Sequence, residues 1–153
     1  MELQIIKELP KLNSHAIERA VEQFIEDSRV ENVDKIGMYN QTIESIAQAT
    51  IFATNNVNQF WLADDGQDVL AYALAHVSKD IDNQLTYTIS QAWVCPNLRT
   101  KKIVKVWFQQ LQDEAARLMC KHIMLPASRH VKPYLRFLGK GYHVYATLIK
   151  KDL

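Results

Sequence analysis

Between residues 59 and 95 the chain spells three extended segments around two aspartate-rich turns, the pattern of an antiparallel meander. Residues 59–63 run into Asp64-Asp65-Gly66, a strong hairpin turn, and residues 68–78 return. A second turn at 80–83 leads into a long third strand, 84–95, rich in Thr, Tyr, Ile, Trp and Val. In the middle strand Tyr72, Leu74 and His76 share one face, while Ala71, Ala73, Ala75 and Val77 share the other. Small side chains along one face predict that a helix or another backbone packs closely against it.

The flanking segments supply the helices. Asn13 or Ser14 can cap a helix reaching Asp27, with Ile17, Val21, Phe24 and Ile25 on one side. Residues 29–37 read as a polar loop, and a second helix is expected over 41–53, stopped by Asn55-Asn56. After the meander a long helix is expected over 100–120, with Val104, Trp107, Phe108, Leu111, Ala115 and Leu118 as its apolar stripe. A first strand at 3–9, a short strand at 122–125, a short helix opened by Pro133 and a last strand at 142–149 complete the order. That order, β-α-α-β-β-β-α-β-α-β, predicts a single domain over 1–153 of the α+β class, a mixed and mainly antiparallel sheet flanked by helices. Trp61, Trp93 and Trp107 then fall in the core.

Composition narrows the setting. With 48% hydrophobic residues and no apolar run of about 18 residues, the chain is expected to be cytoplasmic, with no membrane contact. Cys95 and Cys120 lie in apolar surroundings without a CxxC or Cys/His pairing, so they read as free buried thiols. No His and carboxylate set has metal-ligand spacing, so no metal is expected.

The net charge of +1 hides a strong polarity. Residues 1–98 hold 6 Lys and Arg against 14 Asp and Glu, whereas 99–153 hold 12 against 3. Oppositely charged portions predict either internal pairing or a protein partner or assembly docked through them. Tyr134, Tyr142 and Tyr145 are interleaved with the basic charges. That leaves nucleic acid as a further partner class, ranked behind protein because no nucleic-acid module is recognised.

The richest chemistry lies at residues 93–111, where a strand ends, turns at Pro96-Asn97 and opens a helix. The first N–H groups of a helix have no partner within it and form a ready anion site. Arg99, Lys101, Lys102 and Lys105 crowd that turn, against the preference of the helix dipole for negative charge. Solvated lysines on an exposed face are the plain alternative. Among other titratable groups, His76 could serve as a base beside Tyr72, or be a hydrogen-bonded core histidine. His122 sits at a helix end, where the dipole favours a cation. His130 lies in a polar loop whose neighbours name no chemistry.

Together, the element order and two short motifs resemble the GNAT superfamily of acyl-CoA-dependent N-acyltransferases. Val94, Pro96 and Arg99 stand in register with that family's Val-x-Pro-x-x-Arg-Gly-x-Gly-x-Gly pattern. Tyr-Leu-Arg-Phe-Leu-Gly-Lys-Gly-Tyr at 134–142 resembles its Tyr-x-x-x-Gly-Phe terminus. The resemblance implies a coenzyme A site at Val94, Arg99, Thr100, Lys101, Lys102 and Val104. All three glycines of the family pattern are replaced, by Thr100, Lys102 and Val104. The β-branched Val104 is expected to hinder close approach of pyrophosphate to the backbone.

The resemblance also implies a proton-donating tyrosine at a position that Phe137 fills here. Tyr134, one turn earlier, is the substitute candidate, displaced by about 5 Å along the helix. The third strand carries no Glu, Asp or His that could act as base. The leading expectation is therefore a GNAT-fold protein with an eroded acyl-CoA site and no cofactor. It would be a non-catalytic binding or structural module, of the kind encoded by phages or associated with virions. The alternative is a divergent N-acetyltransferase that uses acetyl-CoA.

Overall fold

Aspartate side chains shape both turns of the meander. The computed structural model describes residues 4–5, 14–28, 34–51, 58–125 and 141. Strand β1 (Gln4–Ile5) is followed by helices α1 (Ser14–Ser28) and α2 (Lys35–Ile51). The meander is β2 (Asn58–Asp64), β3 (Val69–Lys79) and β4 (Leu85–Val94). At the first turn Asp64 Oδ1 accepts from the Gly66 amide, and Asp65 Oδ1 from those of Gln67 and Asp68. Gly66 has φ +89, a conformation that glycine adopts without a Cβ penalty. At the second turn Asp80 Oδ1 accepts from the amides of Asp82 and Gln84. Helix α3 (Lys101–Arg117) and β5 (His122–Met124) follow.

The five strands lie in the order β1-β2-β3-β4-β5. All neighbours are antiparallel except β4 and β5, which are parallel. This is the mixed, mainly antiparallel sheet expected of the α+β class. Helices α1 and α2 cover one face, where Ala20, Val21, Ile25 and Ile46 pack with Phe60, Leu62, Tyr72, Leu74 and Trp93. Helix α3 covers the other, where Trp107, Leu111 and Ala115 meet Ala71, Ala73 and Ala75. The alanine face of β3 thus receives a helix, as its small side chains predict. Trp61, Trp93 and Trp107 are all buried.

Two expected boundaries need correction. Helix α2 begins at Lys35, within the segment read as loop, because Asp34 caps it: its Oδ1 accepts from the Gly37 amide at 2.9 Å. A Cβ at residue 37 would collide with that carboxylate, so glycine makes room for the cap. Helix α3 ends three residues short of Cys120. Met119 adopts φ +57, and the amides of Met119 and Cys120 bond back to Ala116 and Ala115. That is a Schellman stop built on methionine instead of glycine. The expected strand at 142–149, the helix after Pro133 and the Asn55-Asn56 stop lie outside the described residues, as does strand 3–9 beyond Gln4–Ile5.

Among the described residues, no helix is long and apolar enough to cross a membrane. Both cysteines are free thiols, half-buried where full burial was expected.

Candidate functional site

Among the described residues, strand β4 runs on well beyond its pairing with its parallel neighbour. Pairing with β5 involves only Thr86, Tyr87 and Thr88, while β4 continues to Val94. No described strand pairs with Ile89–Val94 on that side. The direction of the main chain there follows from the ladder. The Cys95 amide donates to the Leu70 carbonyl, so Trp93 and Gln91 also direct their backbone groups at β3. Ala92 and Val94 then turn theirs toward the open side. Near the split the β3–β4 register shifts, placing Ser90 as an extra residue between Gln91 and Ile89.

That end of β4 leads into the turn before α3. A 3-10 turn, Pro96–Leu98, connects Cys95 to Arg99, and Thr100 is the N-cap of α3. Thr100 makes no side-chain cap bond, and the first turn holds no acidic residue. The first bond within the helix runs from the Val104 amide to the Thr100 carbonyl at 3.2 Å. The amides of Lys101, Lys102 and Ile103 therefore have no carbonyl of the helix to bond. Lys102 and Lys105 are exposed beside them, and Val104 is half-buried. The Val104 amide is thus committed within the helix whatever its side chain.

Arg99 is held from two sides. Its Nε donates to the Val94 carbonyl at 2.8 Å, and its Nη2 to Asp27 Oδ2 at the end of α1. Trp93 Nε1 donates to the same carboxylate oxygen at 3.2 Å, and Gln23 Nε2 donates to the other, Asp27 Oδ1, at 3.0 Å. Burial pushes the Asp27 carboxyl up, but the bonds from Arg99, Gln23 and Trp93 outweigh it and hold it below the ordinary value. A carboxyl depressed in the folded state stabilises fully above its unfolded pKa of 3.8, and that contribution is lost as pH falls through the lower, folded value. In an acid titration followed by circular dichroism, wild type and Asp27→Asn should differ by a constant stability above about pH 5, converging below pH 3.8. A gap that persists unchanged at pH 2 would show that the carboxylate's charge is irrelevant.

On the α2 side of the split lies a cavity of about 240 Å³, lined by Ser45, Ala49, Asn58, Gln59, Leu74, Ala75, His76 and Ser90. His76 is half-buried, and desolvation lowers its pKa below the ordinary 6.5, which favours the neutral ring. Beside the cavity a polar chain crosses from sheet to helix. Gln91 Nε2 donates to Thr42 Oγ1 at 2.9 Å, and Thr42 Oγ1 donates to the Met38 carbonyl. Sequence reasoning passed over Ser45, and it met Ser90 and Gln91 only as polar residues of a strand without a base. The signal available was the adjacent polar pair Ser90-Gln91 inside a strand that ends in Ala92, Trp93 and Val94.

The structure thus brings Val94, Arg99, Thr100, Lys102 and Val104 together at the end of β4 and the start of α3. Lys101 opens the same helix, and its side chain is not among those described. Tyr134, Phe137 and His130 lie outside the described residues. His122 is in β5, 3.2 Å from Gln84 Oε1 and 3.8 Å from Asp80, which supports a structural role.

No protein-family model matches the sequence, and no curated protein matches it. Solved structures do. The aminoglycoside antibiotic 6'-N-acetyltransferase of Acinetobacter haemolyticus superposes with a TM-score of 0.65 at 12% identity, over 100% of this chain and 99% of that one. The ribosomal-protein-alanine N-acetyltransferase of Brucella melitensis gives 0.63 at 12%, over 99% and 100%. A predicted acetyltransferase of Clostridium acetobutylicum, solved with acetyl-CoA, gives 0.60 at 17%, over 89% and 88%. These likenesses establish the fold: the chain has a GNAT architecture.

Proposed function

We propose that this protein is an acetyl-CoA-dependent N-acetyltransferase, with the acyl donor lying along the open side of β4 and over the start of α3. The observation that carries this reading is the parting of β4 from β5 after Thr88, which leads to an uncapped, cation-flanked helix start. The solved acetyltransferases of the same fold support it. The balance drawn from sequence, which favoured a non-catalytic or virion-associated module, is thereby reversed. Its main physical ground was the loss of three glycines. Yet the Val104 amide is spent within the helix in any case, and Lys102 is directed to solvent. The eroded-site reading and the phage role have no finding in their favour.

The residues present fit an anionic, amide-bearing donor. The amides of Lys101, Lys102 and Ile103 can bond phosphate oxygens, and Lys102 and Lys105 add positive charge beside them. The outward main-chain groups of Ala92 and the Val94 amide can bond an extended amide chain in the manner of an added strand, while the Val94 carbonyl already accepts from Arg99 Nε. Acetyl-CoA, when bound, supplies an activated thioester. The chain's own part is to deprotonate the acceptor amine, and neutral His76 in the cavity beside Ser90 is the group placed to take that proton.

Calorimetric titration tests the donor site. Coenzyme A should bind in the micromolar range, and Lys102→Glu should weaken it about tenfold by setting a negative charge at the phosphate-binding turn. No binding at millimolar coenzyme A would sink the reading.

A further inference from the structure

We infer that Asp27 is a positioning residue for the phosphate loop, fixing from the end of α1 where the α3 N-terminus stands. This rests on the proposed donor site, but its geometry is independent of any ligand. One carboxylate oxygen of Asp27 receives both Arg99 Nη2 and Trp93 Nε1. Those two residues bracket the connection from β4 to α3, so both of its ends are tied to a single group 66 and 72 positions away in sequence. Between them Cys95 is still tied to β3 through its amide and the Leu70 carbonyl, but the turn beyond it has local backbone bonds, Leu98 amide to Cys95 carbonyl at 3.0 Å and Arg99 amide to Pro96 carbonyl at 3.3 Å.

Each anchor is itself held. Trp93 is buried and stacks on Tyr72 with ring centroids 6.2 Å apart. Arg99 spends its Nε on the Val94 carbonyl, the last residue of β4. Asp27 is steadied by Gln23, one helical turn back. The guanidinium therefore neutralises a carboxylate and braces the loop, and phosphate is left to the helix amides and the lysines. Arg99, matched by family register to the coenzyme A motif, acts here through the loop instead of on the ligand.

The opposite arrangement is Asp27 competing with phosphate for Arg99, and the two make opposed predictions. Asp27→Ala, Arg99→Ala and the double variant are compared with wild type in the full chain. The readouts are amide hydrogen exchange over the segment 96–103 and the Kd for coenzyme A, with global stability measured in parallel. Either single variant should speed exchange at Leu98, Arg99 and Thr100 about fivefold and raise the Kd by a similar factor, the size expected for one partly exposed ion pair. The double variant should do clearly less than the sum of the two single ones, because both remove the Arg99–Asp27 link. Asp27→Asn keeps the volume and should fall between if the alanine variant folds poorly. Unchanged exchange in Asp27→Ala overturns the proposal, as do additive effects. Tighter coenzyme A binding in Asp27→Ala overturns it too, since Arg99 would then have been withheld from the ligand. If wild type binds no coenzyme A, the donor-site reading falls while hydrogen exchange still decides the role of Asp27.

Discussion

Replacing His76 by Gln should lower the acetyl-transfer turnover number about 100-fold, the usual weight of a positioned general base. Coenzyme A affinity should stay unchanged, because His76 lines the cavity on the α2 side and not the helix start. The pH dependence carries a second signature. Desolvation favours the neutral ring, so the folded pKa lies below 6.5 and the competent base persists into mildly acidic solution. In wild type kcat/KM should therefore hold through pH 6.5 and fall only as pH drops through the depressed value. The Gln variant should lack that acidic limb. Full turnover in His76→Gln would remove the histidine from the chemistry.

Removing a single oxygen with Tyr87→Phe should destabilise the fold by about 2–4 kcal/mol, because two buried groups lose their partner at once. Tyr87 is 0% exposed. Its hydroxyl receives Trp61 Nε1 at 2.9 Å and donates to Gln59 Oε1 at 2.6 Å. Gln59 Nε2 passes the chain on to Glu114 Oε1 at 2.8 Å, and Arg117 closes it with two bonds to the Glu114 carboxylate. Burial pushes the Tyr87 hydroxyl well above its ordinary pKa, so it stays protonated and donates across the usual pH range. Thermal and urea unfolding should both register the loss, the midpoint falling by roughly 5–15 °C for a chain of this size. A change under about 1 kcal/mol would mean that water or a shifted side chain satisfies both orphans. The network also links α3 to β2 across the sheet, which helps to set the axis of the helix whose other end opens the proposed donor site.

Much of the sheet was legible in advance because its signals are local. Asp64-Asp65-Gly66 and Asp80-Ile81-Asp82-Asn83 write their turns in side chains that bond their own backbone. The alternation of Tyr72, Leu74 and His76 with three alanines assigns each face of β3 before any helix is placed. Local signals also failed where a residue did an unusual job. Asp34 capped a helix inside a segment that read as loop, and Met119 took a left-handed turn that usually falls to glycine.

The candidate site divides in the same way. Residues 94–104 were recognisable as a strand end, turn and cationic helix start, since strand and helix periods meet there. The residue types there do not reveal which amides the helix itself consumes, and the Val104 amide is one of those consumed. By itself, then, the sequence determined the order of elements, the faces of the sheet and the position of the loop, all properties of neighbouring residues. Only the tertiary structure decided that β4 parts from β5 at Thr88, that His76 meets Ser90 in one cavity, and that Asp27 holds Arg99. Those depend on pairs far apart in the chain, and no local propensity specifies which distant partner a side chain will reach once the core has closed.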